Sequence, residues 1–263
     1  MTGHENIEYD VVDGRAEIVL DRPEVYNAIT PEMLVALNEL LVDAMNDDEV
    51  YVVVLTGSGD GFCSGADVSG MEGREDRETK FRYGAHLWQV QYVDRLLYFG
   101  PKPTVAAING PAVGVGCDFA LACDLKVMSE DAFLRPHFVN IGLVPGDGGG
   151  WLLPRLVGES KAKEYLLTGK DIDAAAATDL GLVVDVVPED EALAAARELA
   201  NDLRDKPTTA VRNTKALIDV SQSFAEYGTE AHERQWECVN DPEHYEAVRA
   251  FLEGRDPEFD RPG

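Results

Sequence analysis

Backbone N–H groups, more than reactive side chains, are the first chemistry this sequence offers. Two glycine-rich segments, residues 55–68 and 108–118, each follow an apolar, β-branched run that reads as a strand. In the first, the small residue Ala66 lets a ligand approach the main chain. Its N–H is free if the loop turns into a helix start near Asp67. In the second, Gly110, Gly114 and Gly116 lead into small residues whose helical start would offer the Val115 N–H, reinforced by the helix dipole. Two such groups converging on one carbonyl oxygen form an oxyanion hole, which stabilises a developing enolate. Taken alone, the first segment also reads as a plain strand-to-helix turn, with Asp67 as a cap.

Carboxylates stand nearby. Asp118 lies one helical turn beyond Val115, between Cys117 and Phe119. Burial there would raise its pKa and suit it to proton transfer near neutral pH. The alternative is a helix-start aspartate that stabilises the dipole. Asp147 sits in the glycine-rich turn 145–150, where it could reach a site or cap a helix starting at Gly148. The glycine spacing is not GxGxxG. Phe138 stands about 20 residues on, where a ribose-binding acid would be needed, and no P-loop lysine follows. A nicotinamide-dependent dehydrogenase is therefore discounted.

Elements that would position these groups can be read along the chain. Residues 8–12 and 16–20 alternate around Asp13-Gly14, a hairpin signal. Thr30 caps a helix that opens at Pro31, with Met33, Leu34, Leu37, Leu40, Leu41 and Met45 along one stripe. Strands are expected at 50–56, 104–108, 124–128 and 183–187. Helices are expected in the later part of 74–98, over 114–123, and from the 145–150 turn. From Glu189 the chain reads as helical, with stops near Pro207, Pro242 and Pro257. Strands alternating with helices and then helices alone indicate an α/β core with a helical C-terminal part. Residues 70–80 are charged and aperiodic, a loop of the kind that borders substrate sites. Trp88 and Tyr92 are candidates for lining a substrate pocket.

The 263 residues carry 49 acidic against 23 basic side chains, a net charge of −26. Such a field repels nucleic acid and anionic membranes. It favours a protein working in concentrated salt, where screening shortens its range. The four cysteines, Cys63, Cys117, Cys123 and Cys238, show no metal-ligand spacing, and no signal peptide is read. The expectation is a halophilic, cytoplasmic protein with reduced cysteines, no metal and no transmembrane segment.

Five segments, in order, resemble the crotonase (enoyl-CoA hydratase/isomerase) superfamily. They are Asp21-Arg22-Pro23 through Asn27-Ala28, Phe62 to Val68, Ile108 to Asp118, Gly142-Leu143-Val144-Pro145 through Gly149, and Phe251 to Phe259. The resemblance implies an α/β, crotonase-like spiral of repeated ββα turns with a helical C-terminal trimerisation region. It places the core and acyl-CoA site in residues 1–200 and the oligomerisation region in 201–263, and implies a homotrimer or a hexamer built as a dimer of trimers. Coenzyme A would enter only as part of the substrate, with no separate cofactor. The thioester carbonyl would lie between the N–H groups of Ala66 and Val115. Arg22, Val25, Asn27, Ser64, Asp67, Val68, Gly110, Gly114 and Phe138 would complete the substrate site.

The chain also departs from that family. Its hydratases use two glutamates. The first matches Asp118, while the second falls on Phe138, with His137 one residue earlier and not aimed inward without a change of register. Some family isomerases carry an acid at the position of Gly146, one before Asp147. The resulting expectation is an enoyl-CoA hydratase/isomerase in which Asp118, with Asp147 as a second candidate, transfers a proton through a stabilised enolate. The loss of the second acid tilts the chemistry toward isomerisation. Alternatives are an acyl-CoA hydrolase or C–C lyase on the same fold, or a non-catalytic acyl-CoA-binding subunit. Arg22, Arg74, Arg77 and Arg82 are candidates for meeting the coenzyme A phosphates.

Overall fold

The computed structural model describes residues 4–67, 77–220, 237–238, 240–253 and 255–259. Strands β1 (Ile7–Val12) and β2 (Arg15–Leu20) form the expected hairpin. Asp13 and Gly14 both adopt positive φ, 51° and 74°, the two-residue turn that matches strand twist. Helix α1 (Pro31–Asn46) starts where Thr30 Oγ1 accepts from Met33 N at 3.2 Å. Its six-residue apolar stripe is buried.

Strands β3 (Val52–Gly57), β4 (Thr104–Ile108), β6 (Leu125–Ser129) and β9 (Asp185–Val187) run parallel, giving a sheet in the order β1-β2-β3-β4-β6-β9. Parallel strands covered on both faces read as unbroken apolar runs, as Val52 to Leu55 does. Alternate residues divide between the faces. Val53, Leu55, Ala106 and Ile108 join the main core with α1, α2 (Arg77–Phe99) and α3 (Val115–Ala122). Val52, Val54, Val105 and Ala107 meet Ala196 and Ala200 of α7 (Ala192–Arg204). The expected division after residue 200 falls inside this helix.

A second, three-stranded sheet joins β5 (Ala112–Val113), β7 (Phe133–Arg135) and β8 (Ile172–Asp173). Strands of two or three residues are too short to show a period, so none was expected from sequence. Helices α4 (Gly149–Val157), α5 (Glu159–Thr168), α6 (Ala174–Asp179), α8 (Thr208–Val220) and α9 (Pro242–Glu253) complete the described elements. Among the described residues no helix is long and apolar enough to cross a membrane.

Because β3 and β4 are parallel neighbours, their following loops emerge at one edge of the sheet. The loops are then tied together. Cys63 N donates to Pro111 O at 3.1 Å and Val113 N to Cys63 O at 2.8 Å. Two glycines permit the approach. A Cβ on Gly110 would lie 2.2 Å from Asp60 O, and one on Gly116 would lie 2.3 Å from Cys63 O. Backbone atoms cannot yield as a side-chain tip can. Gly116→Ala should therefore lower stability by about 1–3 kcal/mol, read as a lower melting temperature in calorimetry. An unchanged melting temperature would refute the close approach.

Candidate active site

A cavity of about 360 Å³ opens where these loops meet. Ser64, Gly65, Ala66 and Asp67 form one wall, and Val113, Gly114 and Val115 the facing one. Phe138, Ile141, Leu143 and Leu87 give it an apolar lining. Ile29 bridges the first loop from outside: its N–H donates to Gly65 O at 2.8 Å and its carbonyl accepts from Asp67 N at 2.9 Å. In such a ladder the intervening residue points its own N–H the other way. The Ala66 N–H is thus left unbonded by the main chain of the described residues. Val115 is the first residue of α3, after Gly114 at φ 54° and ψ −119°, so its N–H has no intrahelical acceptor. Ala66 and Val115 both line the same cavity.

Three carboxyls surround the glycine-rich turn. Asp147 lines the cavity, and burial pushes its pKa up to about 6. Asp118 does not line it. It is fully buried, and its Oδ2 accepts from Gly148 N at 3.1 Å and Gly149 N at 2.8 Å. Those are unsatisfied donors at the start of α4, so Asp118 anchors that helix and the turn before it. Burial, with the nearby Asp147 charge, raises its pKa to about 8 against the pull of the two N–H groups. Asp118, expected against substrate, thus sits behind the turn and outside the lining of the cavity. Asp94 of α2 is the third carboxyl. It is buried, both its oxygens lack a partner, and burial together with the Asp118 and Asp147 charges raises it well above the carboxylate range. A Cβ on Gly148 would lie 2.3 Å from Asp94 Oδ2, and one on Gly149 would lie 2.3 Å from Asp118 Oδ1. Glycine pairs at 148–149 are what let both acids reach the turn.

The remaining expected residues divide. Ser64, Ala66, Asp67, Gly114, Val115 and Phe138 line the cavity. Asn27 does not: it is wholly buried, with Oδ1 accepting from Arg22 N at 2.8 Å and Nδ2 donating to Ser58 O and Gly61 O at 2.9 and 2.7 Å. It holds the first loop. Arg22 also lies outside the lining, its Nη1 engaged by Ala28 O at 2.7 Å and Asp67 Oδ2 at 3.1 Å. Val25 contributes its carbonyl to Ser64 Oγ at 2.8 Å, at the rim. Gly110 packs against Asp60, away from the cavity. Val68, Arg74 and the rest of 68–76 fall outside the described residues, as do the side chains of Arg77 and Arg82; of the loop expected over 70–80, residues 77–80 are helical and open α2. Trp88 and Tyr92 are exposed, and α2 turns Leu87 inward instead. His137 lines the cavity together with Phe138. Asp94 is a further site carboxyl, and its one sequence signal is that it interrupts the buried run Val90, Val93 and Leu97.

A family model described as enoyl-CoA hydratase/isomerase matches residues 11–262. The 2,3-dehydroadipyl-CoA hydratase of Escherichia coli is 35% identical over 244 residues, covering 92% of this chain and 93% of its own. The short-chain-enoyl-CoA hydratase of Clostridium acetobutylicum is 34% identical over 247 residues, covering 91% and 92%. Among solved structures, an enoyl-CoA hydratase from Bacillus anthracis superposes with a TM-score of 0.91 at 29% identity, over 98% of this chain and 100% of that one. One from Mycobacterium smegmatis gives 0.89 at 31%, over 97% and 99%.

The buried acids make stability depend on pH. A carboxyl whose folded pKa is raised binds its proton more tightly in the folded state. Its stabilising contribution is complete below the unfolded value and is lost as pH rises through the folded one. For Asp118 that window runs from 3.8 to about 8. The melting temperature should fall as pH rises across it, and Asp94→Asn, which cannot ionise, should make the fall shallower. An equal slope in the variant would show that Asp94 stays unstrained when charged.

Proposed function

The chain belongs to the enoyl-CoA hydratase/isomerase family, and we propose that it transfers protons on an enoyl-CoA through an enolate held by the N–H groups of Ala66 and Val115, with Asp147 as the proton carrier. The single observation that carries this reading is that Ala66 and Val115, whose N–H groups are unengaged among the described residues, line one apolar cavity that also holds one raised carboxyl. With the thioester oxygen between the two donors, negative charge that develops there meets fixed dipoles in a mostly apolar site, commonly the largest contribution to such catalysis. Polarisation of the carbonyl acidifies the α-carbon. Asp147, ionised above a pKa of about 6, accepts a proton, and once protonated it returns it.

Asp118 serves this chemistry indirectly. By holding the N–H groups of Gly148 and Gly149 it fixes the turn from which Asp147 projects. The reading is also supported by the apolar lining from Phe138, Ile141, Leu143 and Leu87, which suits an acyl group. A trimer assembled through the helical C-terminal part is consistent with the exposed Ile218, Tyr245 and Val248 on α8 and α9. A concentrated-salt cytosol is consistent with the net charge of −26. An anionic coenzyme A ester would approach such a surface more readily when salt screens it.

Two measurements test this reading. With crotonyl-CoA and a 3-enoyl-CoA, Asp147→Asn should lower kcat by about 10²–10⁴-fold, and the wild-type rate should climb with pH through a limb near 6. Asp118→Asn should act mainly on stability. Full turnover in Asp147→Asn, with loss in Asp118→Asn, would move the proton transfer to Asp118. Separately, the KM for either ester should fall as potassium chloride is raised; a KM that rises with salt would remove the halophilic reading.

A further inference from the structure

Of the polar side chains lining the cavity, two are already engaged at its rim. Ser64 Oγ donates to Val25 O, and Asp67 pairs with Arg22. His137 and Asp147 remain. The imidazole of His137 is held in a defined way. Residues His137–Ile141 form a single 3-10 turn, which brings Asn140 Nδ2 to 3.1 Å from His137 Nδ1. The same Nδ2 donates to Gly169 O at 3.1 Å. A backbone carbonyl can only accept, so the amide must present its NH₂ side there. That NH₂ group then also faces the ring, and Nδ1 must accept from it. The ring proton is consequently on Nε2. Gly169 makes this possible: at φ 60° it avoids strain, and a Cβ there would lie 2.6 Å from both Nδ2 and Oδ1 of Asn140. No described residue accepts from Nε2–H.

We propose that His137 is the second working group of the site: as a neutral Nε2–H donor it holds the oxygen that adds to, or leaves from, the β-carbon of the acyl chain. This rests on the acyl-CoA reading above and deepens it, because it makes hydration, rather than double-bond migration alone, a reaction of this chain. Asp147 carboxylate takes a proton from water as the water oxygen bonds to the β-carbon. The π electrons move to the enolate held by Ala66 and Val115. Asp147 then gives that proton to the α-carbon as the thioester carbonyl re-forms. Water is the one co-reactant, no electrons are exchanged, and His137 keeps its own proton throughout. As the proton leaves, the attacking oxygen becomes hydroxide-like, and the Nε2–H stabilises that charge. In the reverse direction it stabilises the departing oxygen. The second family carboxylate, whose place in the sequence Phe138 takes, is in this way replaced by a donor one residue earlier.

The test joins a spectrum to a partition of rates. In the ¹⁵N-labelled full chain, the five histidines can be resolved by imidazole ¹⁵N NMR, with His137→Gln identifying the signal that disappears. His137 should show the Nε2–H pattern. Asn140→Asp, whose carboxylate only accepts, should convert it to Nδ1–H and lower hydration of crotonyl-CoA. His137→Phe should lose hydration by about 10²-fold, while α-proton exchange in heavy water, carried by Asp147, stays within a few-fold of wild type. His137→Gln, which keeps a donor, should recover part of the loss. An Nδ1–H or imidazolium spectrum in the wild type overturns the proposal. So does undiminished hydration in His137→Phe, or equal loss of hydration and exchange. If the wild type isomerises but does not hydrate, the role of His137 falls alone. If it turns over neither ester, the acyl-CoA reading falls and takes this role with it.

Discussion

Everything at the site depends on how closely two backbone loops approach. The main chain at Cys63 bonds to Pro111 and Val113, and Gly116 of α3 lies so near Cys63 O that no side chain fits between them. This contact fixes where α3 begins relative to the first loop. It thereby sets the separation of the Ala66 and Val115 donors, which neither loop controls alone. The buried amide of Asn27, bonded to Ser58 O and Gly61 O, prevents the first loop from drifting outward. Donors fixed in advance need no reorganisation when charge appears between them, and that is the source of their catalytic value.

A second constraint is the crowding of acids around the Gly148–Gly149 turn. Asp94, Asp118 and Asp147 are all raised above the ordinary carboxyl value. Three charges in so dry a place would repel strongly, so the cluster holds protons that an exposed surface would release. The two N–H groups at the start of α4 favour charge on Asp118, while burial opposes it. The cost in stability falls on a turn that must also expose Asp147, an arrangement typical of sites whose groups are tuned for proton transfer.

The parallel core was legible because its strands are apolar on both faces and its first helix carries a cap and a stripe. Thr30, the Asp13-Gly14 turn and the 104–108 strand all appear where local chemistry places them. The second sheet was not legible, since β5 and β8 have two residues each. At the site, Ala66 and Val115 could be read because glycines and small residues announce backbone exposure. Side-chain direction could not. Asp118 was placed one turn along α3, but which way its carboxyl turns depends on the N–H groups of Gly148 and Gly149, thirty residues away in sequence. The same holds for α2, where Leu87 faces the cavity and its neighbour Trp88 faces water. A helix start uncertain by one residue rotates every side chain after it by about 100°.

The site divides its labour between backbone and side chains, and the division explains which features tolerate change. In the proposed reaction the enolate oxygen is held by main-chain groups, so Val115 can stand at one donor position with only its N–H in use. The proton-handling groups are side chains, free to move along the chain so long as they reach the same volume. Here an aspartate in the 145–150 turn and a histidine at 137 line the cavity, while Phe138 supplies only apolar surface. What cannot move is the support behind each: the turn held by Asp118 for the first, and the Asn140–Gly169 contact for the second. Both supports rest on a glycine whose missing side chain makes room for the polar group that does the holding.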